Sequence, residues 1–296
     1  MHLSKLALVP LILLMACLAL VPSVKLAAAR QDPASINVDV NLVNVFLTVQ
    51  DSRGDFVSGL TRNDFKIFED DMEQKISVFE KDAVDSSFGI LVDNSGSMVD
   101  TLPLMKTGVI DFVGGRRRTD EFFVMTFGTS VQTVLDVRQS VQTLESVFKT
   151  VTPHGTSKLY EALINGMNKI SRSARERKAL IVFTDGNDNG NNTVTFGAVK
   201  LKAQQTGVLL YFVPIGSLVL VDQRVIQDLA DLSGGRVIHL ERSGQIRPAM
   251  ESIRTDLAQQ YYLGYYAPVR PGYHSIRVEI PGRDVRIRAK PGYSGN

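Results

Sequence analysis

Residues 88–98 read FGILVDNSGSM, an apolar run that ends in one carboxylate and two hydroxyls at alternate positions: Asp93, Ser95 and Ser97. Carboxylate and hydroxyl oxygens are hard ligands that suit Mg²⁺ or Mn²⁺ and not soft metals. Two other stretches offer the same chemistry. His154-Gly155-Thr156-Ser157 precedes a helical pattern, and Phe183-Thr184-Asp185-Gly186 closes a second apolar run. Pooled, the oxygens come from Asp93, Ser95, Ser97, Thr156 and Asp185. Mg²⁺ takes six oxygens at about 2.1 Å and keeps some of its water. A set with few direct carboxylates leaves its charge under-compensated, so the ion favours an outside carboxylate at its free position.

These stretches need a scaffold that brings them to one edge. Between residue 86 and about residue 258, apolar strand-like runs at 88–92, 122–127, 180–183, 208–214 and 236–240 alternate with helical patterns such as 102–113, 158–171 and 222–232. That alternation predicts an α/β fold, a doubly wound and mostly parallel sheet covered on both faces. Ligands of such sheets bind beyond the carboxyl ends of the strands, where Asp93 and Asp185 stand. Gly234-Gly235 is expected to close one helix.

Period-two alternation marks both flanks. Ile36, Val38, Val40 and Leu42 alternate with polar residues, and after a phase change Val43, Val45, Leu47 and Val49 follow. Thr61-Arg62-Asn63-Asp64 is similar to a capping box, and residues 66–69 and 76–80 read as strands. In the tail, Ile276, Val278 and Ile280, then Val285, Ile287 and Ala289, alternate with charged residues. Pro-Gly pairs at 271, 281 and 291 suit type II turns. Neither flank has enough strands for a core of its own. The α/β domain, residues 86–257, is therefore expected to be inserted in a small β-sandwich built from residues 30–85 and 258–296.

In this context the chain resembles the von Willebrand factor A family and its metal-ion-dependent adhesion site, D-x-S-x-S followed by a distant Thr and a distant Asp. Asp93-Asn94-Ser95-Gly96-Ser97, Thr156 and Asp185 supply all five parts in order. The resemblance spans residues 86–257 and implies a Rossmann-like domain. It also implies that Ser95 and Ser97 bind Mg²⁺ (or Mn²⁺) directly, Thr156 directly or through water, and Asp93 and Asp185 largely through water. The flanks, with Val57-Ser58-Gly59-Leu60-Thr61, Phe68-Glu69-Asp70 and Tyr262-Leu263-Gly264-Tyr265, look similar to a subgroup of exported bacterial proteins that carry this domain.

Composition narrows the partners. The 296 residues are 44% hydrophobic and 22% charged, with a net charge of +2, ordinary for a globular protein. Lys5, the apolar residues 6–21 and Ala27-Ala28-Ala29 read as a secretion signal cut before Arg30. Lipidation at Cys17, within Leu14-Met15-Ala16-Cys17, and an uncleaved anchor are the alternatives. Removing Lys5 and Lys25 with the leader leaves about zero net charge, which argues against nucleic acid or an anionic membrane surface as partner. Cys17 is the only cysteine, so a cleaved chain has no disulfide and no thiol chemistry.

The remaining motifs have plainer readings. Ser95 and Ser97 by themselves suit helix capping. Residues 185–190 begin like an EF-hand loop, but the twelfth position is Phe196, not Glu. Arg116-Arg117-Arg118 reads as a solvated helix end. Tyr261, Tyr262, Tyr265 and Tyr266 read as packing residues. The four histidines show no zinc spacing, and His154 reads as a loop residue beside the site. There is no GxSxG elbow and no glycine-rich phosphate loop. The expected function is an exported, non-enzymatic adhesion or binding protein that captures an acidic group of a protein partner through Mg²⁺. A cell-envelope scaffold with a structural metal and a metal-dependent hydrolase using Asp93 and Asp185 are the other functions considered.

Overall fold

The computed structural model describes residues 40–81, 84–136, 140–190, 193–215, 223–240 and 245–295. The expected leader, with Cys17, lies outside these residues, as do Ile36 and Val38. In chain order the strands are β1 (Val40–Gln50), β2 (Lys66–Glu69), β3 (Met72–Gln74), β4 (Val78–Glu80), β5 (Ser86–Asp93), β6 (Glu121–Phe127), β7 (Val131–Leu135), β8 (Arg177–Thr184), β9 (Leu209–Pro214), β10 (Arg236–Val237), β11 (Tyr261–Pro268), β12 (Gly272–Glu279), β13 (Arg286–Ala289) and β14 (Gly292–Gly295). The helices are α1 (Leu102–Gly114), α2 (Val141–Phe148), α3 (Leu159–Ile170), α4 (Phe196–Thr206), α5 (Gln223–Ser233) and α6 (Ile246–Ala258). Among the described residues, no helix is long and apolar enough to cross a membrane.

The central sheet runs β10-β9-β8-β5-β6-β7. All its pairings are parallel except β6 with β7. Strand β7 was not anticipated, because its short Val131–Leu135 segment is partly exposed and shows only weak alternation. Every residue of β5 is buried, which is why it reads as an unbroken apolar run. Ile90 and Val92 face a core shared with α1, α2 and α6, while Leu91 faces a second core with α3, α4 and α5. The sheet is thus covered on both sides, as its strand–helix alternation predicts. Strand β10 is shorter than expected, two residues only. Gly234 closes α5 with φ of +76°. A Cβ on Gly235 would stand 1.9 Å from the Leu210 carbonyl oxygen, so a close backbone approach explains the second glycine.

The flanking segments form two further sheets, β13-β1-β11-β4 and β14-β12-β2-β3. Their inner faces enclose a separate core that includes Val43, Val45, Leu47 and Val49 of β1 and Tyr261, Leu263 and Tyr265 of β11. The phase change in β1 has a physical cause. Its other face is buried as well: Phe46 stacks on Tyr262 with ring centroids 4.8 Å apart, and both belong to the α/β core that contains α1 and α6. Tyr261, Tyr262 and Tyr265 are packing residues, whereas Tyr266 is exposed.

Three local expectations meet different outcomes. The capping box is present, with the Thr61 backbone N–H donating to Asp64 Oδ2 at 2.8 Å. Gly272 and Gly282 take the positive φ that a type II turn requires, at +104° and +76°. Gly292 does not. It lies in β14 against Ser275, where a Cβ would meet the His274 carbonyl oxygen at 2.4 Å. The charged face of β13 is not a solvent face throughout, since Arg288 donates to the carbonyls of Gly234 and Gly235 at 2.8 and 2.9 Å.

Candidate metal site

Three loops leave the carboxyl ends of β5 and β8 and the segment before α3, and their backbones are tied together. Asn94 N–H donates to Phe127 O at 2.8 Å, His154 N–H to Asn94 O at 2.8 Å, and Gly96 N–H to Gly155 O at 3.0 Å. Gly155 takes φ of +68° with Thr129 Oγ1 where its Cβ would be, at 1.9 Å, so only glycine brings this loop against Gly96. On the other side, Ser157 N–H donates to Asn189 Oδ1 and Gly190 N–H to Ser157 O, each at 2.8 Å.

Asp93 is fully buried at the end of β5. Its Oδ1 accepts the Ser95 N–H at 2.9 Å and its Oδ2 accepts the hydroxyls of Ser157 at 3.1 Å and Thr184 at 3.2 Å. The Ser95 and Ser97 hydroxyls lie 3.1 Å apart, and Ser97 Oγ donates to Asp185 Oδ2 at 2.6 Å. Asp185 is itself buried, with Oδ1 accepting from Asn187 N–H at 3.1 Å. Asp93, Ser95, Ser97 and Asp185 are thus one bonded group. Thr156 sits beside them on the exposed rim, positioned by Gly155, and its hydroxyl bonds to no described residue. His154 is an exposed loop residue whose ring meets Thr152 O at 3.0 Å.

Two contributors escaped the sequence reading. Ser157 and Thr184 hold Asp93 in place, and each is next in sequence to a residue already singled out, Thr156 and Asp185. Their neighbours' roles hid them, because nothing in the spacing says which way a loop hydroxyl turns.

The electrostatics are unbalanced. Two carboxylates share one hydroxyl network, and the bonds made to them come from hydroxyls and backbone N–H groups, with no basic side chain among the described residues. Burial pushes the Asp93 carboxyl up to about 6. The Ser95 hydrogen bonds pull it down, and the Asp185 charge adds to the rise. An all-oxygen cluster with unmatched buried negative charge fits a hard divalent cation.

The sign of the resulting pH dependence is unusual for a carboxylate. The folded, metal-free chain holds a proton on Asp93 more tightly than the unfolded chain does. The penalty is therefore absent below about pH 4, grows as pH rises through 6 and is complete at pH 7, at roughly 3 kcal/mol. In chelator, the stability of Asp93→Asn relative to wild type is expected to rise by up to that amount between pH 4 and pH 7.5. Urea midpoints at the two pH values measure it, and a pH-independent difference would contradict the burial argument.

A second acidic group, Glu69, Asp70 and His274, has ligand atoms within 4.8 Å of one another in the sandwich. Arg270 pairs with Glu69 and lies 3.8 Å from Asp70, and His274 Nδ1 meets Asp70 Oδ2 at 2.8 Å. Its charge is already answered by protein groups, unlike that of the first site.

The family model for the von Willebrand factor type A domain matches residues 89–250, more than half of the chain. The chain belongs to this family. Solved structures agree on the fold of this von Willebrand factor A protein. A von Willebrand factor type A protein from Catenulispora acidiphila superimposes with a TM-score of 0.51 at 10% identity, over 87% of this chain and 74% of the other. Proximal thread matrix protein 1 from the mussel byssus, in a structure with a zinc-occupied MIDAS motif, gives 0.53 at 19% identity over 64% of this chain. The match spans half of that protein's length. No curated protein matches the sequence significantly.

Proposed function

We propose that this von Willebrand factor A protein is a non-enzymatic binding protein that captures a carboxylate of a protein partner through Mg²⁺ held by Asp93, Ser95, Ser97, Thr156 and Asp185. The single observation that supports this best is the bonded oxygen cluster, whose two buried carboxylates bond to no cationic side chain among the described residues. Ser97 and Thr156 would bind the ion from the rim and the buried Ser95 from beside Ser97, with Asp93 and Asp185 supplying negative charge. When bound, the cation supplies positive charge and an open coordination position to an external oxygen. Ser97 and Thr156 are solvent-exposed, so an approaching side chain can reach the cluster without rearrangement of the buried strands. The zinc-occupied motif of the mussel thread protein is in keeping with metal loading of this fold. Residues 1–29 read as a leader, so the partner is sought in the exported compartment.

The hydroxyls of Ser95 and Ser97 are engaged with each other and with Asp185, and coordination of a metal would occupy the same oxygens, which counts against their use as nucleophiles. The test is capture of partners on the immobilised protein in Mg²⁺ and in chelator, for wild type and Ser97→Ala. Binding that depends on Mg²⁺ and is lost in Ser97→Ala is the expected result. Equal capture under all four conditions would point to a scaffold with a structural metal.

A further inference from the structure

A cavity of about 470 Å³ opens at the opposite end of the same sheet. Its apolar lining includes Phe88, near the start of β5, Phe112 of α1, and Leu257 and Ala258 at the end of α6. Phe88 and Phe112 pack edge to face with centroids 5.7 Å apart. The volume lies within the range of about 300–1,000 Å³ typical of small-molecule sites. Asp93 lies five positions along the strand from Phe88, roughly 17 Å of extended chain, so this cavity is distinct from the oxygen cluster.

Arg177 lines the cavity and is 5% exposed. Its guanidinium lies over the Phe46 ring at 5.5 Å, its Nε is buried without a partner, and it bonds to no described residue. A buried guanidinium without hydrogen bonds is costly. Burial lowers its pKa to about 10, which leaves it charged at neutral pH. The cavity's one carboxylate, Asp120, is already engaged with Arg117 and with the Ser86 N–H. Three other cations line the rim, each with a contact of its own, and Lys81 lies over the Tyr261 ring at 5.3 Å. Arg116 donates to Val113 O, and Arg254 to the carbonyls of Gly115 and Phe112 at the end of α1. Among these cations Arg177 is the buried one that makes no hydrogen bond to a described residue, and it faces an apolar floor.

We propose that this cavity binds a single-chain amphipathic carboxylate, with its head group on Arg177 and its hydrocarbon against Phe88, Phe112 and Leu257. A small polar anion would satisfy Arg177 but leave the phenyl floor wet. A neutral hydrocarbon would fill the floor and strand the guanidinium. Only a ligand with both parts answers both surfaces.

The test is calorimetric titration of the protein with decanoate in chelator, which separates it from the metal reading. Saturable one-to-one binding is expected. Arg177→Met, which removes the charge and keeps apolar bulk, should weaken it roughly ten- to a hundredfold. 1-Decanol should bind wild type about as weakly as decanoate binds that variant. Ala258→Phe, at an exposed position on the cavity wall, should abolish binding while leaving the urea midpoint near wild type. It keeps the test intact should Arg177→Met fail to fold. Absence of saturable heat, decanol binding as tight as decanoate, or full binding in Ala258→Phe would each overturn the proposal.

Discussion

Arg288→Met is expected to destabilise the folded protein by about 3–5 kcal/mol, the cost of leaving one half of a buried ion pair behind. Its partner is Asp256 of α6, 1% exposed, whose Oδ1 accepts from Arg288 Nη2 and whose Oδ2 accepts the Tyr211 hydroxyl at 2.7 Å. Gln260 Nε2 donates to the same tyrosine oxygen at 3.1 Å. Arg236, at 3.8 Å from Asp256 Oδ1, is too far to hydrogen-bond in place of Arg288. The substitution also strips a donor from the Gly234 and Gly235 carbonyls. Adding Asp256→Asn should recover part of the loss, since it removes the stranded charge and keeps an acceptor for Tyr211. Urea unfolding of the three proteins measures both effects. A single variant within 1 kcal/mol of wild type would show that the tail strand is not latched to the α/β core through this pair.

The second large effect concerns metal. Mg²⁺ at a hundred times its Kd should stabilise wild type by about 2.7 kcal/mol. The cation would answer the buried carboxylates, Asp93 above all, that the metal-free chain keeps at a cost. Ser97→Ala removes a ligand oxygen and the donor to Asp185. An affinity loss of about a hundredfold would cut the stabilisation at the same Mg²⁺ concentration to about 0.4 kcal/mol. Paired urea curves with and without Mg²⁺ give the numbers. No Mg²⁺ response in wild type, or the same response in both proteins, would remove the basis for a metal at this edge. Because Ser97→Ala also takes a donor from the buried Asp185, a metal-free loss of about 1–3 kcal/mol is expected, and the difference between the curves with and without Mg²⁺ separates loss of metal from loss of fold.

Most of the α/β architecture is legible in the residue pattern. Strands buried on both faces need continuous apolar runs, and 88–92, 180–183 and 208–214 have them. The helices between them carry periodic apolar faces. The five oxygen-bearing residues could be named for the same reason: carboxylates and hydroxyls at strand ends are informative by type and place. Strand β7 and the brevity of β10 were not legible, because short, partly exposed segments carry too little pattern to declare themselves.

Sequence by itself determined the alternation of strands and helices in the α/β region, the β patterning of both flanks and which oxygen-bearing residues are candidates for the site, all of which follow from local periodicity and side-chain chemistry. Tertiary structure alone decided that Ser157 and Thr184 hold Asp93, that Arg288 turns inward to Asp256, and that Arg177 lines an apolar cavity with no hydrogen bond to a described residue. Those outcomes depend on which residues, scores of positions apart in the chain, meet when the sheets close. A charged or hydroxyl side chain looks the same in sequence whether it faces water or a buried partner.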